Sequence, residues 1–277
     1  MNSSGTLRRV LLRPPRAEEL VSCRMLGWRG QPDADAIAEE HAALCELLAT
    51  AGAEVVLANA TVPAQADAIY VYDPLLISDE GAVLLRLGKE QRSDEARMLE
   101  PALTQAGVPV AVRMEAPATA DGGDMFWLDD DTLLVGRGYR TNDAGVACIR
   151  DALPNADVLV FDLPHLRGRS EVLHLMSLVS PLAPDLVVAF PPLLPVRLVQ
   201  LFEKRGVEIV EVPEEELDSM GPNVLALAPR VALALERNVE TRRRLERAGV
   251  EVLTYEGAEL SKGDGGPTCL TRPLARD

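Results

Sequence analysis

Aromatic residues are scarce in this chain: four Phe, four Tyr and two Trp make up 4% of its 277 residues. A core of stacked rings is therefore excluded, and the 47% of apolar residues must pack as an aliphatic core. Basic residues are also short, with 28 Lys and Arg against 43 Asp and Glu, a net charge of −15. Such a surface repels phosphate backbones and anionic bilayers, which sets aside nucleic acid and membrane partners. No apolar run approaches the roughly 18 residues that a membrane span needs. The opening Met1-Asn-Ser-Ser-Gly-Thr-Leu-Arg-Arg-Val lacks the charged, apolar, then small order of a signal peptide. Cysteine occurs four times, at Cys23, Cys45, Cys148 and Cys269. With no Cys-x-x-Cys and no Cys/His cluster at zinc spacing, neither structural metal nor a disulfide framework is expected. The chain reads as a reduced, cytoplasmic protein. No linker or composition break divides it, so one domain over 1–277 is expected.

What is present is a rhythm of short apolar runs and amphipathic stretches. Strand candidates are Leu7–Leu12, Glu54–Asn59, Ala68–Tyr72, Ala82–Leu87, Val108–Met114, Met125–Leu128 and Thr132–Gly136. Asp157–Leu163, Asp185–Phe190, Glu208–Val212, Val224–Leu227, Val231–Glu236 and Glu251–Tyr255 follow. Helices are expected over 33–51, 94–106, 142–152, 195–205 and 239–248, the last capped by Asn238. In the first of these, Ile37, His41, Leu44, Cys45 and Leu48 share one face, so His41 reads as a packed helix residue. Strands in pairs or triplets, with one helix between, recur along the chain. That order fits repeated ββαβ-like units of an α/β fold more closely than a strict βαβ ladder.

Five segments carry chemistry. Cys269 follows a glycine pair in Asp264-Gly-Gly-Pro-Thr-Cys269, on what reads as a short apolar strand. A cysteine there is either a small buried hydrophobe or a nucleophile on a rigid support. Asp121-Gly-Gly-Asp124 suits a tight turn, or carboxylates facing a cationic ligand. Arg140 ends a basic loop after a predicted strand, either solvated or free to clamp a carboxylate. His174 sits between two leucines in the segment Glu171–Leu178, as a buried histidine or a neutral base; His165 is the weaker candidate. Asp67 and Asp73 flank the predicted strand Ala68–Tyr72, which Pro74 would end. Gly27-Trp-Arg-Gly30 is an ordinary surface loop or a lid. Together these groups suit thiolate attack on a positively charged carbon, with carboxylates holding the cation.

The order of these segments resembles the guanidine-modifying (pentein) superfamily, which includes dimethylarginine dimethylaminohydrolases, arginine deiminases and amidinotransferases. The matches run Asp67…Asp73-Pro74, Arg92, Asp121-Gly-Gly-Asp124, Arg140-Thr-Asn142, His174-Leu175 and Cys269, across nearly the whole length. The resemblance implies a five-bladed α/β propeller of ββαβ repeats around a central polar site, working without metal or organic cofactor. It implies that Cys269 attacks a guanidinium carbon and that His174 protonates the departing amine and then activates water. Asp121 would pair with the substrate, alongside Asp124 of the same motif. Arg92 and Arg140 would hold the carboxylate of an amino-acid substrate, and Asp67 and Asp73 would be further substrate-binding acids.

Two departures bear on the substrate. Arginine deiminases carry an acid where this chain has Met176, and the dimethylarginine enzymes carry Glu where it has Tyr72. Both lower the negative charge around a bound guanidinium. The expectation is a hydrolase acting on a small arginine-like compound, with an N-methylated arginine favoured. Arginine or citrulline as substrate, an amidinotransferase, and a non-catalytic binding protein on the same fold stay as alternatives. A homodimer is left open.

Overall fold

Fifteen strands form five three-stranded sheets in the computed structural model, which describes residues 2–61, 64–168 and 173–277. Each sheet is built alike. Two strands pair antiparallel, and the second pairs parallel with a third that arrives through a helix. After β1 (Leu7–Leu12) come the one-turn α1 (Cys23–Leu26), the long α2 (Ala34–Thr50) and β2 (Glu54–Leu57). The second sheet holds β3 (Leu75–Ser78), β4 (Gly81–Leu84), α3 (Glu95–Gln105) and β5 (Val110–Arg113). The third holds β6 (Met125–Trp127), β7 (Thr132–Arg137), α4 (Asp143–Ala152) and β8 (Asp157–Asp162). The fourth holds β9 (Val179–Ala183), β10 (Leu186–Ala189), α5 (Val196–Arg205) and β11 (Glu208–Glu211). The fifth holds β12 (Leu225–Ala228), β13 (Val231–Leu235), α6 (Val239–Arg247) and β14 (Glu251–Tyr255). Finally β15 (Arg272–Arg276) pairs antiparallel with β1, so the chain ends close the first blade. This is the five-bladed α/β propeller that the sequence resemblance implies.

Burial grades outward along each blade. Leu75–Ser78, Met125–Trp127 and Val179–Ala183 are buried at every position, whereas the third strands β2, β5 and β11 are partly exposed. The first strands therefore line the axis, and the helices cover the outer strands with aliphatic clusters. Scarce rings suit this arrangement, because Leu, Val and Ala fill the narrow wedges between blades at interior packing density.

Three inner strands escape the sequence pattern. The run Ala68–Tyr72 is not a strand: Ala66–Ile69 forms a 3-10 turn, and the strand begins after Pro74. Cys269 lies in the turn before β15 rather than on a strand. The strands β9 and β15 contain Pro181 and Pro273, which a central strand would not accept. Each is the edge of its sheet, where a missing N–H breaks no ladder bond on the axis side.

The helices follow their caps. Asp33 accepts the N–H groups of Asp35 and Ala36 at 3.0 and 2.9 Å, and Asn142 accepts that of Gly145 at 2.7 Å. On α2, Ile37, His41, Leu44 and Leu48 are buried, as the stripe requires. Burial holds the His41 imidazole down to a pKa of about 4. At α6 the expected cap differs. The Asn238 side chain is bonded to Ser219, and the Glu216 carboxylate instead accepts the N–H groups of Glu240 and Thr241 at 2.8 and 2.7 Å. Glu216→Ala should therefore destabilise the fold by about 1 kcal/mol in urea denaturation, the usual loss for a removed helix cap; an unchanged midpoint would show that water replaces the carboxylate.

Candidate active site

The architecture places one loop of each blade at one end of the axis, each just ahead of an inner strand. Asp73 precedes β3, Asp121 to Asp124 precede β6, His174 and Met176 precede β9, Asn223 precedes β12, and Cys269 precedes β15. They surround a cavity of about 550 Å³ whose wall includes Asp67, Asp73, Arg140, His174, Asn223 and Cys269. Of the predicted histidine segment, Glu171 and Val172 lie outside the described residues.

The centre is a buried acid–base pair. His174 Nε2 lies 3.0 Å from Asp121 Oδ2, and its Nδ1 lies 3.8 Å from Asp73 Oδ1. Asp121 also accepts the Gly88 N–H at 2.7 Å and faces Arg140 Nη1 at 3.6 Å. Asp73 accepts the Gly123 N–H at 3.1 Å and Arg92 Nη1 at 2.7 Å. Only glycine fits at 123: a Cβ there would stand 2.5 Å from His174 Nδ1 and 2.8 Å from Asp73 Oδ1. Asp124 is wholly buried and braces the site from behind, accepting Thr141 Oγ1 at 2.7 Å and the Leu175 N–H at 3.1 Å. Thr141 in turn accepts the Asp121 N–H at 3.3 Å.

Cys269 faces this pair from the loop before β15, in the first blade. Asn223 Nδ2 donates to its Sγ at 3.1 Å, and Asn223 Oδ1 accepts the Thr268 N–H at 3.0 Å. The fit requires Gly266, whose Cβ would lie 2.6 Å from Asn223 Oδ1.

Electrostatics follow from burial and charge. Burial alone would lower the His174 pKa, but the Asp73 charge, the Asp121 hydrogen bond and Asp124 outweigh it and hold it at about 9. Burial works against ionised Asp121, yet its hydrogen bond and charge pairing with His174, with Arg140 behind, keep it below the usual carboxylate range. Asp124 is pushed up to about 7, chiefly by burial. The Cys269 thiol is pushed up to about 11 by burial and then by the Asp73 charge, against the Gly266 and Asn223 hydrogen bonds. The resting site is thus a thiol beside an imidazolium. One potential ligand atom from each of Asp73, Asp121 and His174 lies within 4.8 Å of the others, so these three are the described residues that could gather around a metal cation.

Other predicted residues reach the cavity differently. Sequence reasoning assigns Arg92 to a substrate carboxylate. Its guanidinium is instead engaged within the fold, by Glu95 at 2.9 and 2.8 Å, by Asp73, and by the Tyr70 carbonyl at 3.3 Å. Among the described residues Arg140 makes one ion-pair approach, 3.6 Å to Asp121, and is the looser cation. Asp67 accepts Trp28 Nε1 at 2.8 Å and Lys89 Nζ at 2.7 Å, which ties the 27–30 loop to the cavity wall. Tyr72 donates its hydroxyl to the Met125 carbonyl at 3.3 Å and carries the Arg272 guanidinium 4.2 Å above its ring. Met176 is buried against the same wall. The sequence reading misses Asn223, Lys89 and Glu95. Asn223 follows Gly-Pro immediately before an apolar run, the same loop-to-strand setting as Asp73, and that parallel is the available signal.

Comparison with known proteins agrees with this geometry. An arginine deiminase family model matches residues 193–276. Arginine deiminase of Mycobacterium avium (strain 104) is 33% identical over 190 residues, covering 58% of this chain and 47% of that protein. This chain thus spans about half the length of the curated relatives it matches. The DDAH of Pseudomonas aeruginosa, solved as a cysteine-to-serine mutant with citrulline, superposes with a TM-score of 0.80 at 25% identity, covering 96% of this chain and 98% of that one. The N-terminal domain of ArgZ, a cyanobacterial arginine dihydrolase, gives a TM-score of 0.81 at 18% identity, covering 97% of each chain. The chain belongs to the guanidine-modifying (pentein) superfamily. Among the described residues no helix is long and apolar enough to cross a membrane.

In this pentein the elevated His174 pKa makes a stability prediction. A group raised from about 6.5 unfolded to about 9 folded contributes fully below pH 6.5 and loses that contribution as pH rises through 9. Urea denaturation should therefore show the stability advantage of wild type over His174→Gln shrinking between those pH values. A constant difference would mean that His174 is not charged in the fold.

Proposed function

We propose that this chain is a hydrolase that cleaves a C–N bond at the guanidino carbon of a small arginine-like substrate through a covalent Cys269 intermediate. One observation carries the reading: Cys269, held by Asn223 at 3.1 Å, and His174, held by Asp121 at 3.0 Å and facing Asp73 at 3.8 Å, line one cavity. A bound guanidinium is the charge that offsets Asp73. It lowers the cost of the thiolate next to it, while the direct bond to Asp121 keeps His174 protonated.

The thiol releases its proton to solvent as the cation binds, and the thiolate Sγ forms a bond to the guanidinium carbon. The carbon–nitrogen bond to the leaving amine breaks as His174 delivers its proton to that nitrogen. What remains is an S-alkylthiouronium on Cys269 and a neutral imidazole. Neutral His174 then takes a proton from water as its oxygen attacks the same carbon. The carbon–sulfur bond breaks as the second water proton passes from the new hydroxyl to the departing sulfur, leaving a neutral ureido product, the Cys269 thiol and the recharged imidazolium. Asn223 stabilises the sulfur in both charged states through its N–H. Asp121 fixes the imidazole, and Asp124 with Thr141 fixes Asp121. For an amino-acid substrate, Arg140 is the clamp for the carboxylate, while Arg92 and Glu95 hold Asp73 in place.

Cys269→Ala should lower turnover by at least about three orders of magnitude, since the covalent route is lost. Cys23→Ala, Cys45→Ala and Cys148→Ala should stay near wild type. Retained turnover in Cys269→Ala, measured as amine release, would overturn the mechanism.

Within this class we infer an N-methylated arginine as the preferred substrate. The thioether of Met176 cannot accept the charge-assisted bonds that an unsubstituted guanidinium N–H requires, and leaving such a donor unpaired costs about 1–3 kcal/mol. Methyl groups remove those donors and pack against sulfur. A second reading, plain arginine, is supported by the arginine deiminase relatives. The values of kcat/KM for arginine, monomethylarginine, asymmetric dimethylarginine and citrulline decide between them. Preference for a methylated arginine, moved towards arginine by Met176→Asp, supports the first reading. A wild-type preference for arginine supports the second.

A further inference from the structure

The other end of the propeller axis holds a second, separate cavity of about 30 Å³. Every inner strand contributes to its wall: Ile77 of β3, Phe126 of β6, Pro181 of β9, Ala226 of β12 and Arg276 of β15. Mostly aliphatic and aromatic groups line it, yet two guanidinium groups do as well, those of Arg272 and Arg276. Arg272 is only 5% exposed. The Nε atoms of both arginines are buried without a hydrogen-bond partner. Arg272 lies over the Tyr72 ring, and Arg276 Nη1 donates to the Gly5 carbonyl at 2.6 Å. Neither makes an ion pair with a described residue.

This arrangement is costly as it stands. A buried charge is stable when paired, and an isolated one costs several kcal/mol. Here two like charges sit together in a chain whose net charge is −15, rich in carboxylates that could have been placed beside them. Burial, and for Arg276 the neighbouring Arg272 charge, lower both guanidinium pKa values, that of Arg276 to about 10. The cavity has room for one small guest, since a site needs roughly 10–15 Å³ to hold a water molecule.

We propose that the rear cavity is a binding site for a single small inorganic anion of the size of chloride, held by Arg272 and Arg276. The anion supplies the missing countercharge and takes up the orphaned N–H donors. Water alone would satisfy the hydrogen bonds and leave the two charges facing each other. Because Tyr72, Met176 and Thr268 line both cavities, the ion lies directly behind the floor of the front site.

The test exchanges chloride for gluconate at constant ionic strength and follows thermal unfolding, which separates a bound ion from general screening. Binding to the folded state alone raises the midpoint with concentration. The wild-type midpoint should rise by about 3 °C or more as chloride approaches about 100 mM, the shift expected when stability rises by roughly 1 kcal/mol in a chain of this size. Arg272→Met and Arg276→Met should abolish the dependence. Should either variant fail to fold, wild-type crystals grown in bromide decide the matter, with an anomalous peak expected between the two guanidinium groups. Equal midpoints in the two salts, a dependence retained by both folded variants, or no bromide peak between the arginines overturns the proposal. None of these readouts depends on catalysis, so the site stands or falls separately from the proposed hydrolysis.

Discussion

Asp73 is the group on which the front of this molecule depends. One oxygen accepts the Gly123 N–H and faces His174, while the other accepts Arg92. It thereby joins the loop before β3 to the loops before β6 and β9, and its charge reaches Cys269 before β15. A buried carboxylate with one strong cation partner is tolerable because Arg92 is itself balanced by Glu95. Arg92 is thus the keystone of an acid–base–acid chain, and its engagement follows from the cost of leaving any of these three charges unpaired.

The fold explains how residues so far apart in sequence meet. A five-fold repeat brings five loops to one end of an axis, and each loop is short because an inner strand follows within a few residues. The strand anchors its loop in the most buried part of the molecule, so a side chain at the tip has little freedom. Preorganisation of that kind is what the proposed covalent mechanism needs, since in it the sulfur and the proton donor must both approach one carbon. The glycines at 123 and 266 serve the same end, letting a ring and an amide come closer than any side chain would allow.

Much of this is legible in the sequence, and the failures share one cause. The second and third strands of each blade stand out because they are runs of Val, Leu and Ala with a helix between. Of the inner strands, β3 is displaced by the apolar run Ala68–Tyr72, and β9 and β15 are hidden by Pro181 and Pro273. Proline argues against a strand only where both edges are paired, and pairing is a tertiary fact. The same limit applies to Arg92. Its place among the motifs is readable, but its bonds to Glu95 and the Tyr70 carbonyl exist only once α3 packs beside β3. Asn223 escapes notice because an asparagine after Gly-Pro reads as turn chemistry until the fifth blade carries it to the sulfur.

Charge is arranged along the axis as well as around it. At the front, Asp67, Asp73 and Asp121 are interleaved with the cations Lys89, Arg92, Arg140 and His174. At the rear, two guanidinium groups have no carboxylate partner among the described residues. Tyr72 stands between the two ends, its ring against Arg272 and its backbone N–H on the Cys269 carbonyl at 3.2 Å. A carboxylate at this position would meet Arg272 directly, pairing the rear cation and adding negative charge to the front. The phenol does neither. It presents a π face that a guanidinium tolerates, and it leaves the front cavity less negative by one charge. The substitution at 72 and the unpaired arginine at 272 are therefore two consequences of one choice, and the chemistry at each end of the axis has to be read with the other in view.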